Sequence, residues 1–189
     1  MCHAFPLDSS FFAFLQQLDD EQAHQSQASG CPHCGGVLHR AAYPRKPRGV
    51  PRACLGQGYQ WRHSFCCAAD GCRRRCTPPS VRFLGRRVYL GFLVVLCSSV
   101  SVGRLVALGQ QLSVPMRTIR RWRRWWQQRF CQLPGWKRRR LELAAAVDAQ
   151  RLPESLWERF GALRPSTLAL LLRWIAPLLS PVRSAPIEG

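Results

Sequence analysis

Apolar residues recur at helical spacing in several separate stretches of the chain. The first stretch predicts a short helix over residues 5–18, which either Asp8 or Ser9 could cap. Residues 19–30 are rich in glutamine, serine and alanine, and we interpret them as a linker. The N-terminal segment is therefore expected to be one amphipathic helix followed by a flexible connection.

A second helical pattern covers residues 84–130, after which Leu133-Pro134-Gly135 interrupts it. Further helices are predicted over about 137–149, 153–161 and 166–179. Apolar side chains on the last two would pack on the preceding helices or form a dimer face. We expect the tail, residues 182–189, to be disordered.

The segment from Gly109 to Trp122 has the pattern of the turn and second helix of a helix-turn-helix. Gly109 would allow close helix approach, Ser113-Val114 would form the turn, and Pro115 suits a first helical turn. An apolar face follows at helical spacing: Ile119, Trp122, Trp126 and Phe130. The opposite face is basic, with Arg117, Arg120, Arg121 and Arg124. We interpret residues 115–124 as a recognition helix, with Thr118 as a further DNA contact.

Two other interpretations of this basic helix remain open. Amphipathic basic helices are commonly solvated surfaces with no ligand. Trp122, Trp125 and Trp126 could also place such a helix at a membrane surface.

Charge along the chain is strongly uneven. The protein has 189 residues and a net charge of +18. Residues 40–140 hold 23 lysines and arginines against one acid, Asp70, while residues 1–39 are acidic and residues 141–189 are neutral. One long basic block favours a polyanionic partner, and nucleic acid is the first such candidate.

Ten cysteines are present, and we expect metal ligands rather than disulfides among them. The N-terminus shows no basic region followed by an apolar run, so we expect a cytoplasmic, nucleoid-associated bacterial protein and no membrane partner. Cys97 is expected to be a small core residue.

Two cysteine pairs have the spacing of zinc knuckles. Cys31 and Cys34 form a C-x2-C pair followed by two glycines, and Cys67 and Cys72 form a C-x4-C pair. Short strands are expected beside both pairs, which is the order of a zinc ribbon. We therefore predict zinc as the cofactor, bound by these four thiolates.

The second pair is less securely defined than the first. Neighbouring residues offer other ligands, and these alternatives stay open: Cys66, Cys76, His33, His39 and His63.

Basic residues around the ribbon form further candidate DNA contacts. The Pro/Arg-rich insert with Arg45, Lys46 and Arg48 would be an extended arm along the DNA or a disordered loop. After the second knuckle, two arginine groups would contact phosphates: Arg73, Arg74 and Arg75, then Arg86 and Arg87.

The order of these motifs resembles the N-terminal DNA-binding part of insertion-sequence transposases. The resemblance rests on Cys-Pro-x-Cys-Gly, the later Gly-Cys-Arg-Arg-Arg and the Thr-Ile-Arg-Arg-Trp helix, and it covers about residues 31–130. It implies a zinc ribbon held by Cys31, Cys34, Cys67 and Cys72, a recognition helix at 115–124, and recognition of element ends.

The chain departs from that family after the DNA-binding part. Such transposases continue into an RNase H-like domain with three metal-binding acids, but residues 141–189 are too few for it. We therefore expect no enzymatic activity. The chain would be a non-catalytic partner of a separately encoded transposase or integrase subunit. It could also form a homodimer.

The predicted fold class is a small α+β protein with a four-cysteine zinc ribbon followed by a mainly α helix-turn-helix region. Five segments are predicted: 1–30 (helix and linker), 31–80 (ribbon), 81–132 (helix-turn-helix), 133–181 (C-terminal helices) and 182–189 (tail).

Double-stranded DNA recognition linked to a mobile element is the leading functional hypothesis. A transcription regulator of the helix-turn-helix type is one alternative. RNA binding by the ribbon is another, in which Trp61 and Phe65 would stack on bases.

Overall fold

The protein folds as a mixture of α-helices and short antiparallel strands. The computed structural model describes residues 8–50, 55–85, 87, 89–100, 102–143, 145–162 and 164–179. Within these residues the helices are α1 Ser9–Ala28, α2 Gly91–Ser99, α3 Val102–Gln111, α4 Met116–Gln128, α5 Pro134–Arg139, α6 Glu154–Trp157 and α7 Pro165–Ile175. The strands are β1 Leu38–Arg40, β2 Tyr43–Pro44, β3 Trp61–Arg62, β4 Phe65–Cys67 and β5 Arg75–Cys76.

Asp8, one of the two predicted caps, does cap helix α1: its carboxylate accepts a 2.9 Å hydrogen bond from the backbone N–H of Phe11. The helix begins at Ser9, whereas the prediction placed its start at residue 5. It does not end at residue 18. The helix continues to Ala28, so the linker predicted over 19–30 is wrong. Glutamine and alanine favour helix, and the second half buries Asp19 and Ala23 against the rest of the protein.

The five strands form two small antiparallel sheets. In the three-stranded sheet, β4 lies between β1 and β5, with Leu38 opposite Cys67 and Cys66 opposite Arg75. In the other sheet, β2 pairs with β3. The central position of β4 places Cys67 next to the loop that leads into β1, which carries Cys31 and Cys34.

One large hydrophobic core unites α1 with α2, α4 and α7. The rings of Phe11 and Phe12 in α1 both pack against Phe92 in α2, with centroids 5.8 Å apart. Cys97 lies in this core as predicted, and burial raises the pKa of its thiol to about 12. Most apolar residues of α6 and α7 pack into the same core, which is one of the two roles predicted for them; Leu170 is exposed.

The C-terminal helices differ in extent from the sequence prediction. The helix predicted over 137–149 starts earlier, because Pro134 fits the first turn instead of breaking the chain. It ends at Arg139 and passes into a 3-10 turn at Arg140–Glu142, and the described residues between 143 and 148 are not helical.

The next two helices are also shorter than predicted. Helix α6 has only one turn. Helix α7 ends at Ile175 and is followed by a 3-10 turn over Ala176–Leu179, which contains Pro177. The predicted tail, 182–189, lies outside the described residues. In the part of the chain that the structure describes, no helix combines the length and the apolar character needed to cross a membrane.

Candidate zinc centre and nucleic-acid interface

A tight loop carries the first cysteine pair. The backbone N–H of Gly35 donates to the carbonyl of Cys31 at 2.8 Å, and the N–H of Cys31 donates to the carbonyl of Gly36 at 2.8 Å. A side chain at Gly36 would not fit easily, because a Cβ there would lie 3.2 Å from Cys67 Sγ and 3.3 Å from Cys34 Sγ. The glycine therefore leaves room for the sulfur atoms.

The second pair comes from strand β4 and the turn after it. Cys67 is the last residue of β4, and the backbone N–H of Cys72 donates to the carbonyl of Ala69 at 2.9 Å. A hydrogen bond from the N–H of Ala68 to the carbonyl of Val37 ties the two loops together at 2.9 Å. The pairing of β1 with β4 thus brings both cysteine pairs to one place.

The four sulfur atoms form a compact cluster. Cys31 and Cys72 Sγ are 3.7 Å apart, Cys34 and Cys67 Sγ are 3.4 Å apart, and all four lie within 4.8 Å of one another. Four sulfurs bound tetrahedrally at about 2.3 Å from a zinc ion would be ~3.8 Å apart. The cysteines are free thiols, and their spacing suits a metal ion of the size and softness of zinc.

Backbone hydrogen bonding prepares one of these thiols to act as a ligand. The N–H of His33 points at the Cys31 sulfur and, against the opposing effect of burial, lowers the pKa of this thiol to about 7. At Cys67 a backbone hydrogen bond from Ala69 also favours the thiolate, but burial and the neighbouring thiols outweigh it and raise the pKa to about 12. Metal ions bind the thiolate, so Cys31 is the better prepared of these two ligands. The cluster is partly accessible, because Cys31 and Cys67 are buried while Cys34 is exposed.

The alternative ligands lie outside the cluster. Among the described residues, the grouped sulfurs belong only to the two predicted pairs. Cys66 Sγ contacts the carbonyl of Arg73 at 3.5 Å, His33 Nδ1 lies 3.1 Å from a nitrogen of Arg74, and His63 pairs with Asp20 at 2.7 Å. His39 and Cys76 likewise do not join the four sulfurs.

Helix α4 separates its aromatic and basic residues as predicted. Ile119, Trp122 and Trp126 are buried, and Phe130 is buried just beyond the helix. The four arginines predicted to face DNA are all exposed: Arg117, Arg120, Arg121 and Arg124. One predicted contact is wrong. Thr118 is only 7 % exposed, because its position on the helix turns it toward the core beside Ile119.

A tight turn joins α3 to α4. The backbone N–H of Val114 donates to the carbonyl of Gly109 at 2.8 Å, and Ser113 has a left-handed backbone with φ of 52°. A Cβ on Gly109 would lie 3.1 Å from both Ile119 Cδ1 and the carbonyl oxygen of Val114. The close approach predicted for this glycine is therefore confirmed.

The Pro/Arg-rich insert does not extend as an arm. Strand β2 pairs with β3, and the Arg45 guanidinium donates to the carbonyl of Arg87 at 3.0 Å. The backbone of Arg48 forms an isolated parallel β-bridge with that of Tyr89. Gly49 packs so closely on α2 that a Cβ there would lie 2.1 Å from Leu93 Cδ1. Backbone pairing and apolar packing hold this insert against the helices, so the predicted arm and the alternative of a disordered loop are both wrong.

Within that insert, Lys46 and Arg48 are exposed and remain available to a ligand. Arg45 is half-buried over Phe83, with 6.0 Å between the guanidinium carbon and the ring centroid. Its structural contacts make it a poorer candidate for a phosphate contact than its neighbours.

The arginines after the second knuckle are exposed. Arg73 pairs with the exposed Asp70, and the guanidinium carbon of Arg75 lies 5.8 Å from the ring centroid of Tyr43. Of the next pair, Arg86 lies outside the described residues. Arg87 is half-buried, and its guanidinium lies 3.7 Å from the ring centroid of Trp125.

A buried polar network that no sequence pattern predicts lies beside strand β3. Asp19 and Arg82 form an ion pair at 2.7 Å, with side chains 0 % and 1 % exposed. Arg82 also donates to the carbonyl oxygens of Tyr59 and Trp61 at 2.9 and 3.1 Å. No periodic pattern in the sequence marks two charged residues 63 positions apart as partners.

Of the two aromatic residues that the RNA-binding alternative requires on the surface, only one is exposed. Phe65 is buried beneath β4 with Leu38, whereas Trp61 is 45 % exposed. A single exposed ring does not form the stacking surface that was expected of this pair.

Comparison of the chain with protein-family models, with curated proteins and with solved structures yields no match. The chemistry of the two candidate sites is therefore the basis on which a function can be inferred.

Proposed function

We propose that this protein binds double-stranded DNA through α4 and that a zinc ion stabilises the fold of the cysteine-bearing loops. The basic face of α4 carries the proposal. Four exposed arginines lie opposite a buried aromatic face, and among the described residues no carboxylate pairs with any of them. Such a surface needs an external anion to balance its charge.

The packing of α4 supports a role in the major groove. Helix α4 packs on α2 and α3, and a tight turn that contains Ser113 joins α3 to its N-terminal end. In a helix-turn-helix, the second helix enters the major groove with its N-terminal residues at the base edges. Arg117, Arg120 and Arg121 would then be nearest the bases, since arginine can donate two hydrogen bonds to guanine.

Zinc has a structural role in this proposal. All four proposed ligands are cysteines, which is typical of structural zinc sites. Catalytic zinc sites instead keep one coordination position open for water or substrate. The strands around the cluster are two or three residues long, and few apolar residues support them. Structural zinc contributes roughly 10 kcal/mol to the folding of such small units.

Other exposed basic side chains would add affinity without sequence preference. Lys46 and Arg48 in the insert and Arg73, Arg74 and Arg75 in the ribbon are candidates for phosphate contacts.

Association with a mobile element is the finer part of the proposal. It depends on the order of the two modules, ribbon and then basic helix, which resembles the end-recognition part of insertion-sequence transposases. In this proposal the chain marks element DNA and a separately encoded subunit supplies the chemistry.

The test is selection of bound duplexes from a random DNA pool with zinc-loaded protein at near-physiological salt. A recovered motif that the Arg120→Gln/Arg121→Gln variant no longer enriches would support the proposal. The control removes the same charge from exposed positions of another segment, Arg138→Gln/Arg140→Gln. Absence of any enriched motif would overturn site-specific recognition, and a motif resembling inverted repeats would support the mobile-element role.

A further inference from the structure

A cleft of about 390 Å3 opens beside α4, next to its basic face. Four arginines line it, three of them from α4 and its C-terminal end and one from the segment before α2: Arg121, Arg124, Arg129 and Arg87. Arg129 and Gln128, which also lines the cleft, have no part in the DNA contacts argued above.

The charge around the cleft is uncompensated. None of its lining residues is acidic. Burial, and secondly the positive charge of Arg121, lowers the pKa of Arg87 to about 10, so Arg87 still carries its charge near neutral pH. A phosphate group would neutralise part of this charge and could accept hydrogen bonds from several guanidinium groups.

The cleft also presents aromatic and amide groups. Tyr89 and Trp125 are half-buried and line it. The buried Trp122 supports the Tyr89 ring edge to face, with ring centroids 5.0 Å apart, and the Arg87 guanidinium lies over Trp125. Aromatic rings and guanidinium planes are the surfaces on which unpaired bases stack. The amide of Gln128 offers both a donor and an acceptor to a base edge.

Arginines for a phosphate, aromatic surface for a base and an amide for its edge together match one nucleotide. Paired bases inside a duplex cannot enter a cleft at the side of α4, because their faces are already stacked. The nucleotide must therefore come from an unpaired part of a strand.

We propose that this cleft binds one unpaired nucleotide of a DNA strand at the border of the duplex that α4 contacts, an inference that rests on the proposed function. Arg121 and Arg124 belong to both surfaces, so a strand leaving the duplex would pass directly into the cleft.

The experiment compares three DNA probes by fluorescence anisotropy with the full chain loaded with zinc. The probes are a blunt duplex, the same duplex with a three-nucleotide single-stranded overhang, and the same overhang without bases. We expect the overhang with bases to bind about tenfold tighter than the other two. The abasic probe has the same number of phosphates, so it separates base stacking from simple charge attraction.

Two surface variants test the location. Arg129→Gln and Gln128→Ala change exposed residues of the cleft. We expect each to reduce the advantage of the overhang severalfold while blunt-duplex affinity changes less. Arg138→Gln, which removes the same charge from an exposed position on α5, should leave the advantage intact.

The outcomes separate this inference from the proposed function. Equal binding of the overhang probes with and without bases, or of the blunt and overhang probes, would overturn the cleft assignment while leaving duplex binding in place. An equal loss of the advantage in Arg138→Gln would also overturn it. Binding of the overhang without binding of the blunt duplex would overturn the proposed function and support the cleft.

Discussion

The Asp19 carboxylate and the Arg82 guanidinium, 63 positions apart, form an ion pair in which neither side chain reaches solvent. Asp19 also accepts hydrogen bonds from the Ser80 hydroxyl and, at 2.6 Å, from the backbone N–H of Val81. This pair joins α1 to the segment that connects the strands with α2. Through its hydrogen bonds to the carbonyls of Tyr59 and Trp61, Arg82 also ties strand β3 to this pair.

Removing one member of this pair should strongly destabilise the protein. Asp19→Ala leaves the Arg82 charge buried and without its carboxylate partner, so we expect a loss of about 3–5 kcal/mol in the free energy of unfolding. Urea denaturation of the zinc-loaded protein, followed by circular dichroism, measures this loss.

The neighbouring carboxylate provides the control. Asp20 pairs with His63 near the surface, so Asp20→Ala should lose about 1 kcal/mol or less. Combining Asp19→Leu with Arg82→Met should recover much of the loss of the single variant, since both buried charges are then absent. Equal effects of Asp19→Ala and Asp20→Ala would contradict this account.

The metal site predicts opposite results for two adjacent cysteines. Cys67 belongs to the sulfur cluster, whereas Cys66 contacts the carbonyl of Arg73. If the four sulfurs hold zinc as proposed, Cys67→Ser should lose the ion and leave the cysteine-bearing loops poorly folded, whereas Cys66→Ser should retain one zinc ion per chain. Metal analysis after purification measures the content, and Cys31→Ser should behave like Cys67→Ser. Full zinc content in Cys67→Ser would rule out the ligand set.

Chelation of the metal should affect the two parts of the molecule differently. The helices share a large hydrophobic core, while the cysteine-bearing strands have a small one. We expect EDTA to broaden the NMR signals of residues 31–40 and 65–76 more than those of α2 and α7. Uniform loss of all signals would show that the helical core also requires the metal.

Two glycines of α3 offer a matched test of the turn before α4. A Cβ on Gly103 would meet no atom within 4 Å, whereas a Cβ on Gly109 would meet Ile119 and Val114 at 3.1 Å. Gly103→Ala should stabilise the helix by up to about 1 kcal/mol. Gly109→Ala should be less stable than Gly103→Ala by about 1–3 kcal/mol, because overpacking opposes the gain in helix propensity. Thermal unfolding of both variants gives the comparison, and equal stabilities would contradict the close approach.

The cysteine pairs and the two faces of α4 could be predicted from the sequence, because both depend on spacing over a few residues. Cysteine spacing identified Cys31 with Cys34 and Cys67 with Cys72 as ligand pairs, and helical periodicity placed Trp126 inside and Arg120 outside. Both relationships depend on a turn geometry or a helical repeat of a few residues.

Apart from the joining of the two cysteine pairs into one cluster, features formed by distant residues were not predicted. The extension of α1 through Asp19 depends on Arg82, and the folding of the basic insert onto α2 depends on contacts such as Gly49 with Leu93. Arg87 was expected to be an exposed phosphate contact. It is instead half-buried, because its guanidinium packs on the ring of Trp125 in α4. Charge alone does not show which arginines tertiary packing will use.

Two arginines of α4 should separate stability from DNA binding. Arg123 points back toward α2 and donates a hydrogen bond to the carbonyl of Val100, whereas Arg120 is exposed. Arg123→Ala should therefore lower the free energy of unfolding by about 1–3 kcal/mol, since it removes a hydrogen bond from a charged donor. Arg120→Ala should leave stability within about 0.5 kcal/mol.

DNA affinity should respond in the opposite way. Arg120→Ala should weaken the preferred duplex, with a loss of about 1–3 kcal/mol in discrimination if Arg120 contacts a base, and an even loss across sequences if it contacts a phosphate. Arg123→Ala, measured at a temperature where it is folded, should keep near-normal affinity. Urea denaturation and fluorescence anisotropy on the same two variants measure both quantities. An Arg120→Ala protein of unchanged stability and unchanged DNA affinity would mean that this face of α4 is a solvated surface rather than an interface.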